Sequence, residues 1–286
     1  MGNCLYLDCT SGISGDMFVA ALLDLGADEN ELIAGLKSIA DDGFDIKISK
    51  VEKSGIACTN FDVVLDELHD GHDHDMEYLY GHLNGHANDT EEGEKSHQKT
   101  PEYQTHDRWE NHRHQHRGLA EIKEIISKTT FHDKTKKLAE KIFDILADAE
   151  AKAHGIPKEE VHFHEVGAID SIVDILAAAY LVEALDVEQV YVPYLSEGQG
   201  SVRCRHGILS VPVPAVTNIV STHSIPMKIT EVQGELVTPT GAAIVAAIMT
   251  SDKPPEIFKI EKNGYGAGKR EYNTAGYLRA MLISNE

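Results

Sequence analysis

The sequence predicts an α/β or α+β protein in which one mixed sheet is flanked by helices and interrupted by a disordered histidine-rich insertion. Stretches with strand-like alternation and stretches with helical periodicity follow one another along most of the 286 residues, as expected for a layered fold. Between 66 and 117 the aliphatic periodicity disappears. We therefore divide the chain into an N-terminal α/β segment (1–65), the insertion (66–117) and a main α/β segment (118–286), with the first and third forming one domain.

Composition restricts the classes of function. Hydrophobic residues make up 42% of the chain, which suffices for a sizeable core. The formal net charge of −21 disfavours binding to nucleic acid or to an anionic membrane surface, because both need a basic field. The four cysteines form no C-x-x-C pair, and we find neither a signal peptide nor a membrane span. These features predict a soluble cytoplasmic protein.

The N-terminal segment begins with a strand over Cys4–Cys9, followed by the loop T-S-G-I-S-G-D-M and a helix from Asp16 to Leu25. A strand, a Gly/Ser loop and a helix N-terminus together can bind an anion through backbone N–H groups. An ordinary strand-to-helix turn explains the same residues. Asp8 and Asp16 are candidate metal ligands, although Asp16 also suits the first turn of a helix.

Regular elements continue up to residue 65. A second helix fits Glu29–Ile39. Alternating apolar and polar residues over Phe44–Lys53 and Ile56–Leu65, on either side of Ser54-Gly55, predict a β-hairpin.

The insertion differs from its surroundings in composition. Ten of the sixteen histidines fall between Asp66 and Arg117, mixed with acids and amides. Such a polar segment cannot bury enough apolar surface to fold alone. Imidazole suits nickel, copper, zinc and iron(II). The segment therefore reads as a mobile tract that gathers metal, or as a solvated insertion of biased composition.

Two helices are predicted next, over Gly118–Lys128 and Asp133–His154, and then comes V-H-F-H-E-V-G-A-I-D-S-I-V-D from Val161 to Asp174. His162 and His164 lie two apart, so they point to one side of an extended segment. A helix follows from Ala168 to Leu185.

Asp170 and Asp174 share one face of that helix, because they are four residues apart. Asp170 can be explained as a first-turn acid. Asp174 lies a turn further in, between Val173 and Ile175, where a carboxylate needs a partner. Two imidazoles and two carboxylates form a plausible cage for a divalent transition metal, and a buried hydrogen-bond network is the alternative.

The remaining elements lead to two further candidate sites. Thr238-Pro-Thr-Gly begins an apolar helix, and Thr240 lies near its open N–H groups, as a plain cap or as a ligand site. Lys269 and Arg270 lie in the glycine-rich stretch Gly264–Arg270, predicted as a flexible loop that grips an anion or merely ends a hairpin. The other predictions are strands at Glu188–Tyr194, Ile257–Asn263 and Tyr277–Ile283 and a helix at Pro214–Ser221.

Several of these stretches, taken together and in order, resemble the LarC family of nickel insertion proteins. They are T-S-G-I-S-G-D-M, H-F-H-E-V-G-A-I-D-S-I-V-D, H-G-I-L-S-V-P-V-P-A, T-P-T-G-A-A and G-Y-G-A-G, with a histidine-rich insertion in between. The resemblance implies insertion of nickel into pyridinium-3,5-bisthiocarboxylic acid mononucleotide, a lyase-class reaction that makes the nickel-pincer cofactor of lactate racemase. It also implies CTP hydrolysis and a divalent ion, manganese or magnesium.

The same resemblance implies partners. Family members carry a further C-terminal domain that resembles the CTP binder, and we expect it to be supplied as the C-terminal half of the family protein. Lactate racemase apoenzyme would receive the product. We also expect a homo-oligomer.

Combining residues and resemblance assigns roles. The tract would collect nickel, and the metal would be held in the fold by His162, His164, Asp170, Asp174, Asp8 and Asp16. His164 or Glu165 would remove the proton from the ring carbon. The anionic groups of the organic substrate would be held by Thr240, Gly241, Lys269 and Arg270.

Two other functions fit parts of the sequence. One is a non-enzymatic nickel chaperone or store, which needs only the tract. The other is a phosphate-handling enzyme that uses Asp8 and the loop Thr10–Asp16.

Overall fold

The computed structural model describes residues 2–39, 43–65, 117–163, 167–204 and 206–284. These ranges contain seven α-helices and twelve strands. The helices are α1 (Gly15–Asp24), α2 (Glu29–Leu36), α3 (Leu119–Lys128), α4 (Asp133–His154), α5 (Ile169–Ala184), α6 (Pro214–His223) and α7 (Pro239–Ile248). The strands are β1 (Asn3–Asp8), β2 (Phe44–Lys53), β3 (Ile56–Leu65), β4 (Arg117–Gly118), β5 (His162–Phe163), β6 (Val187–Tyr191), β7 (Leu195–Gln199), β8 (Ser201–Cys204), β9 (Gly207–Ser210), β10 (Met227–Gln233), β11 (Lys259–Ala267) and β12 (Tyr277–Ser284).

Six strands form the main sheet, in the order β2-β3-β11-β12-β1-β6. β1 pairs antiparallel with β12 and parallel with β6, while β11 pairs antiparallel with β12 and parallel with β3. The sheet is therefore mixed, as the sequence predicted. It contains strands from both sides of residues 66–116. Two-stranded sheets join β10 to β7, β4 to β5 and β8 to β9.

The helices pack on this sheet in layers. α1 packs on β3, β11 and β12, and α5 packs against α1. α4 packs against α5, α6 and α7. Leu5, Phe18, Phe61 and Phe143 are completely buried in the resulting core. No described helix combines the length and apolarity that crossing a membrane requires.

The stretch Gly264–Arg270 is not wholly a loop, and that prediction was wrong for its first half. β11 continues through Ala267 and pairs with β12 along its length. The glycines let the strand approach α1: a Cβ at Gly266 would lie 2.0 Å from the Met17 carbonyl oxygen, and one at Gly264 would lie 2.3 Å from that of Ala21. Glycine therefore serves close packing here rather than flexibility.

Replacing Gly266 tests this packing. We expect Gly266→Ala to lower the free energy of unfolding by about 3 kcal/mol, because the added methyl must displace helix backbone. Urea denaturation would measure the loss. Gly55→Ala is the control, since nothing lies within 4 Å of its Cβ and only its φ of +78° is unfavourable, which costs about 1 kcal/mol. Equal losses in the two variants would contradict the close packing of β11 on α1.

The sequence missed β7 to β10, because glycine and proline obscure strand periodicity there. A Cβ at Gly198 in β7 would lie 1.9 Å from the Gly234 carbonyl oxygen, so the glycine marks a close approach of two chain segments. Arg117, which we assigned to the insertion, is 5% exposed and its Nη1 donates to the Gly167 carbonyl oxygen at 3.1 Å. The rest of the predicted tract lies outside the described residues.

Candidate functional site

The candidate site lies where the first turns of α1 and α7, the second turn of α5 and the residues just after β11 meet. They contribute Asp16, Thr240, Asp174 and Lys269 respectively. The local sequence sets each of these positions. Asp16 lies in a first helical turn and Thr240 lies near an N-cap. Asp174 lies one turn inside an apolar helix, and Lys269 follows a strand. The tertiary fold brings them together.

Gly15 shows how closely these elements approach. A Cβ at Gly15 would lie 2.7 Å from Asp174 Oδ2 and 3.1 Å from Thr240 Cγ2. A side chain at this position would therefore occupy the space in which the aspartate and the threonine face each other.

Asp16 is oriented by its own turn. The hydroxyl of Ser14 donates to Asp16 Oδ1, and the Met17 N–H donates to the same oxygen at 2.9 Å. Ser14 is the N-cap residue of α1. Asp16 therefore lies in the first turn of α1 with its side chain held close to the backbone.

Lys269 balances the acids of the site. Its Nζ lies 2.7 Å from Asp62 Oδ1 on β3, with both side chains 35% exposed. Burial alone would lower the pKa of Lys269, but Asp16, Asp62 and Asp174 outweigh it and hold that pKa above its usual value. The ammonium group therefore stays charged among the carboxylates.

Asp174 is the most perturbed acid of the group. Burial, followed by the charge of Asp16, raises the pKa of Asp174 well above its usual range, and Lys269 offsets only part of this. Asp170, four residues earlier on α5, raises it further. These surroundings therefore favour the neutral form of Asp174, and a bound cation would favour its ionised form.

Carboxylate oxygens can bind a divalent metal ion, and manganese and magnesium suit them best. As the side chains stand, however, no three metal-ligating side chains within the described ranges are close enough to enclose an ion. Asp16, Asp62 and Asp174 thus have the right chemistry, but a cation would have to draw them together. The ion pair between Lys269 and Asp62 would then break, or Lys269 would remain as a positive charge beside the bound cation.

Three other predicted site residues, Asp8, Arg270 and Gly241, have structural roles elsewhere. Arg279 and Thr10 donate to the carboxylate of Asp8 and, against the effect of burial, lower its pKa. Arg270 Nη1 donates to Glu235 Oε2 at 2.8 Å. A Cβ at Gly241 would lie 2.4 Å from the Ile13 carbonyl oxygen, so Gly241 allows α7 to approach the loop before α1.

The histidines of the motif stay a prediction. His162 is exposed and lies on β5, which pairs with β4. His164 and Glu165 lie outside the described residues. His206, further along the chain, contacts the ring of His154 with centroids 4.9 Å apart.

Several backbone N–H groups of the loop Thr10–Asp16 already donate to other protein groups. The N–H groups of Thr10, Gly12 and Ile13 donate to Asp8 Oδ1, the Cys9 carbonyl and the Leu236 carbonyl. A phosphate-binding loop needs such groups free. This disfavours the phosphate-handling alternative.

Sequence reasoning overlooked Glu197, which is completely buried on β7. Its Oε1 accepts from the N–H groups of Leu236 at 2.7 Å, Gly198 at 2.8 Å and Val237 at 3.1 Å. Burial raises the pKa of Glu197 to about 7, although these three donors oppose the shift. The sequence shows only an acid between Ser196 and Gly198, which is no signal for burial.

Glu197 should leave a signature in the pH dependence of stability. Its pKa rises from 4.5 to about 7 on folding, so between these values the unfolded chain loses a proton that the folded chain keeps. The free energy of unfolding should fall by up to about 3 kcal/mol as pH rises through this window, and level off above it.

Urea unfolding of the wild type and of Glu197→Gln at pH 5, 6, 7 and 8 would isolate this group. Glutamine does not titrate, so the difference in stability between the two proteins should change across the window. Two curves that stay parallel would mean that the carboxyl keeps an ordinary pKa.

Comparison with known proteins identifies the family. The family model described as nickel insertion protein matches residues 5–286. A protein of Alkaliphilus metalliredigens, named pyridinium-3,5-bisthiocarboxylic acid mononucleotide nickel insertion protein, is 46% identical over 286 residues, covering 100% of this chain and 61% of that protein. A protein of the same name from Clostridium acetobutylicum is 42% identical over 284 residues, covering 99% of this chain and 64% of that protein.

A third relative, from Dictyoglomus thermophilum, is named putative nickel insertion protein and is 35% identical over 280 residues, covering 97% of this chain and 60% of that protein. The chain thus spans about three fifths of the length of the curated relatives it matches. No solved structure matches it. A family model that extends over nearly the whole chain, together with these identities, shows that the chain belongs to the nickel insertion protein family.

Proposed function

We propose that this chain takes part in inserting nickel into pyridinium-3,5-bisthiocarboxylic acid mononucleotide, the substrate in the names of its relatives. The observation that carries the proposal is the meeting of Asp16, Asp174, Thr240 and Lys269 around Gly15. The reaction needs a metal ion and an anionic organic molecule in one place. Carboxylates beside an ammonium group and a helix N-terminus supply both kinds of binding group.

The residues divide by charge in this proposal. Asp16 and Asp174 hold the incoming nickel, with Asp62 and Asp170 nearby. Lys269 and the N-terminal turn of α7 at Thr240 hold the phosphate and thiocarboxylate groups of the substrate. The raised pKa of Asp174 means that metal binding releases a proton from the site.

Formation of the carbon–nickel bond requires the ring carbon to lose its proton. We propose His164 or Glu165 as the base, since both lie only a few residues before α5, which carries Asp174. CTP hydrolysis and manganese or magnesium complete the proposed reaction, and the CTP site would lie in the part of the relatives that this chain does not cover. Cytoplasmic location, lyase-class chemistry, delivery to lactate racemase and homo-oligomerisation belong to the same proposal.

Reconstitution tests the function directly. The purified chain is supplied with the mononucleotide, nickel, CTP and manganese, with and without the C-terminal region of a relative. Product is detected by mass spectrometry. We expect turnover when the C-terminal region is present. No product under either condition, with a folded chain and an active relative as positive control, would refute nickel insertion by this chain.

The histidine-rich stretch supports a second candidate, a nickel chaperone or store that performs no chemistry. Deleting residues 66–116 separates the two functions. An insertion enzyme should keep its activity at high nickel concentration after the deletion, whereas a store should lose the bulk of its nickel binding and the function with it. Equilibrium dialysis and the insertion assay on the same deletion variant give both answers.

Lys269 provides a prediction about the organic substrate. Lys269→Gln should raise KM for the mononucleotide by about 10- to 100-fold, because a charge-assisted contact to an anion contributes about 1.5–3 kcal/mol. Lys128→Gln is the control: this lysine forms an exposed ion pair with Glu124 on α3, and its loss should leave KM unchanged. If KM for the mononucleotide stays unchanged while that for nickel shifts, Lys269 acts on the metal side of the site instead.

A further inference from the structure

Glu197 has no role in the proposed reaction, yet its surroundings set it apart from the other acids of the described ranges. It is completely buried. One carboxylate oxygen, Oε1, accepts three backbone N–H groups, and the other, Oε2, has no hydrogen-bond partner among the described residues. Burying a carboxylate is costly unless it satisfies groups that would otherwise be buried without a partner.

The donors explain why an acceptor is needed at this point. Two of the three, the N–H groups of Leu236 and Val237, are consecutive along the chain. Consecutive N–H groups of a regular strand point in opposite directions, so one neighbouring strand cannot bond both. The Glu197 side chain bonds both, and it thereby stabilises a segment that follows no regular ladder.

The same segment is bonded on its other side to the loop before α1. The Leu236 carbonyl accepts from the Ile13 N–H at 2.9 Å, and the Thr238 N–H donates to the Ile13 carbonyl at 3.1 Å. Ile13 directly precedes Ser14 and Gly15, the beginning of α1. Residues 236–238 therefore lie between Glu197 and the part of the site that carries Asp16.

Both ends of the segment also lead to the site. Downstream, Thr238 Oγ1 accepts from the Gly241 N–H at 3.1 Å and caps α7, which carries Thr240. Upstream, Glu235 is 8% exposed and accepts from Arg270, the neighbour of Lys269. Three of the elements that form the site thus depend on where residues 235–238 lie.

We propose that Glu197 is a positioning residue for the candidate site, and that its carboxylate fixes residues 236–238 so that the first turns of α1 and α7 face Asp174. It acts through Leu236, Val237 and Ile13 and touches neither metal nor substrate. Its effect on catalysis rests on the proposed function, but its effect on the geometry of the loops does not.

Three substitutions separate the possible roles of the side chain. Glu197→Gln keeps an acceptor oxygen and removes the charge. Glu197→Met keeps the volume and removes the acceptor. Glu197→Asp keeps the charge but shortens the side chain by one methylene, and it serves if the methionine variant does not fold. Asp28→Ala is the matched control, because Asp28 also accepts two backbone N–H groups, but as the N-cap of α2.

The first measurement is hydrogen exchange of peptides covering 234–241 and 10–18, with α4 as an internal reference, at one pH. Loss of the acceptor in the methionine variant, or its withdrawal by one methylene in the aspartate variant, should speed exchange of these two peptides by on the order of tenfold. The glutamine variant should match the wild type. The control should change exchange only in α2.

The second measurement is nickel insertion in the same variants. The activity should follow the exchange, with Glu197→Gln restoring what Glu197→Met loses, and the control should stay near the wild type. If the wild type has no insertion activity, the proposed function fails and the exchange data alone decide the positioning role. Unchanged exchange at 10–18 in the methionine or aspartate variant would overturn the proposal, as would an aspartate variant that matches the wild type while the glutamine variant does not.

Discussion

Asp174→Asn should reduce nickel insertion by on the order of 1000-fold, the largest effect on activity that we expect from a single side chain. The amide keeps the shape of the carboxylate but supplies no negative charge for a metal ion. It also removes the titratable carboxyl group whose pKa burial and Asp16 raise. The loss should appear in turnover and in the affinity for nickel, with the fold intact.

The control for this variant is Asp148→Asn. Asp148 lies on α4, is 65% exposed and pairs with Lys158 at 3.0 Å, so it carries the same chemical change without the burial. Circular dichroism would confirm folding of both variants, and the insertion assay would compare them. Asp174→Asn with activity within a few-fold of the wild type would mean that the acid belongs to a buried network and that the metal binds elsewhere.

The raised pKa of Asp174 gives this variant a second signature. Asparagine does not ionise, so it adds no negative charge next to Asp16. We therefore expect the variant to be no less stable than the wild type at neutral pH. Metal binding to the variant should also release fewer protons. Isothermal titration in two buffers of different ionisation enthalpy would count those protons. An unchanged proton release would assign the proton to another group.

Gly15→Ala should nearly abolish activity while leaving the fold stable, which is the second large effect. The added methyl group would lie 2.7 Å from Asp174 Oδ2 and 3.0 Å from Asp174 Cβ. These distances are shorter than van der Waals contact, so the aspartate must turn away from its position. Alanine is otherwise well suited to the first turn of a helix. The substitution should therefore displace Asp174 without destabilising α1.

Gly155→Ala is the matched control, because the same substitution there adds a methyl group to open space. Gly155 ends α4 with a φ of +67°, and nothing lies within 4 Å of its Cβ. It should lose about 1 kcal/mol of stability and keep full activity. Urea unfolding and the insertion assay on both variants give the comparison. A Gly15→Ala protein that keeps normal activity would show that the contact between α1 and Asp174 is not part of the working site.

Local patterns determined much of the fold before any tertiary information. The stripe of apolar residues and the closing Gly155 predicted α4 over Asp133–His154, where it lies. Ser54-Gly55 predicted the β2–β3 hairpin, in which both residues have positive φ. These features depend on neighbours within a few residues, and periodicity and turn chemistry report such neighbours directly.

Sequence patterns gave wrong predictions where a glycine allows two segments that are distant in the chain to pack together. Gly264 and Gly266 read as a flexible loop, but they lie in β11 because α1 packs directly on them. β10 lacks a clear alternation, and β7 contains Gly198, which lies against the Gly234 carbonyl. A glycine looks the same in a sequence whether it provides conformational freedom or permits close contact between two segments.

The candidate site divides in the same way. The sequence by itself determined that Asp174 is an acid within a buried helix, that Thr240 lies near an N-cap and that Lys269 lies in a glycine-rich stretch. Only the tertiary structure decided that these three and Asp16 lie close together, that Asp8 and Arg270 have other partners, and that Glu197 is buried. The reason is physical: side-chain chemistry and helical or strand periodicity act between neighbours, whereas burial and the electrostatic coupling of distant charges exist only once the chain is folded.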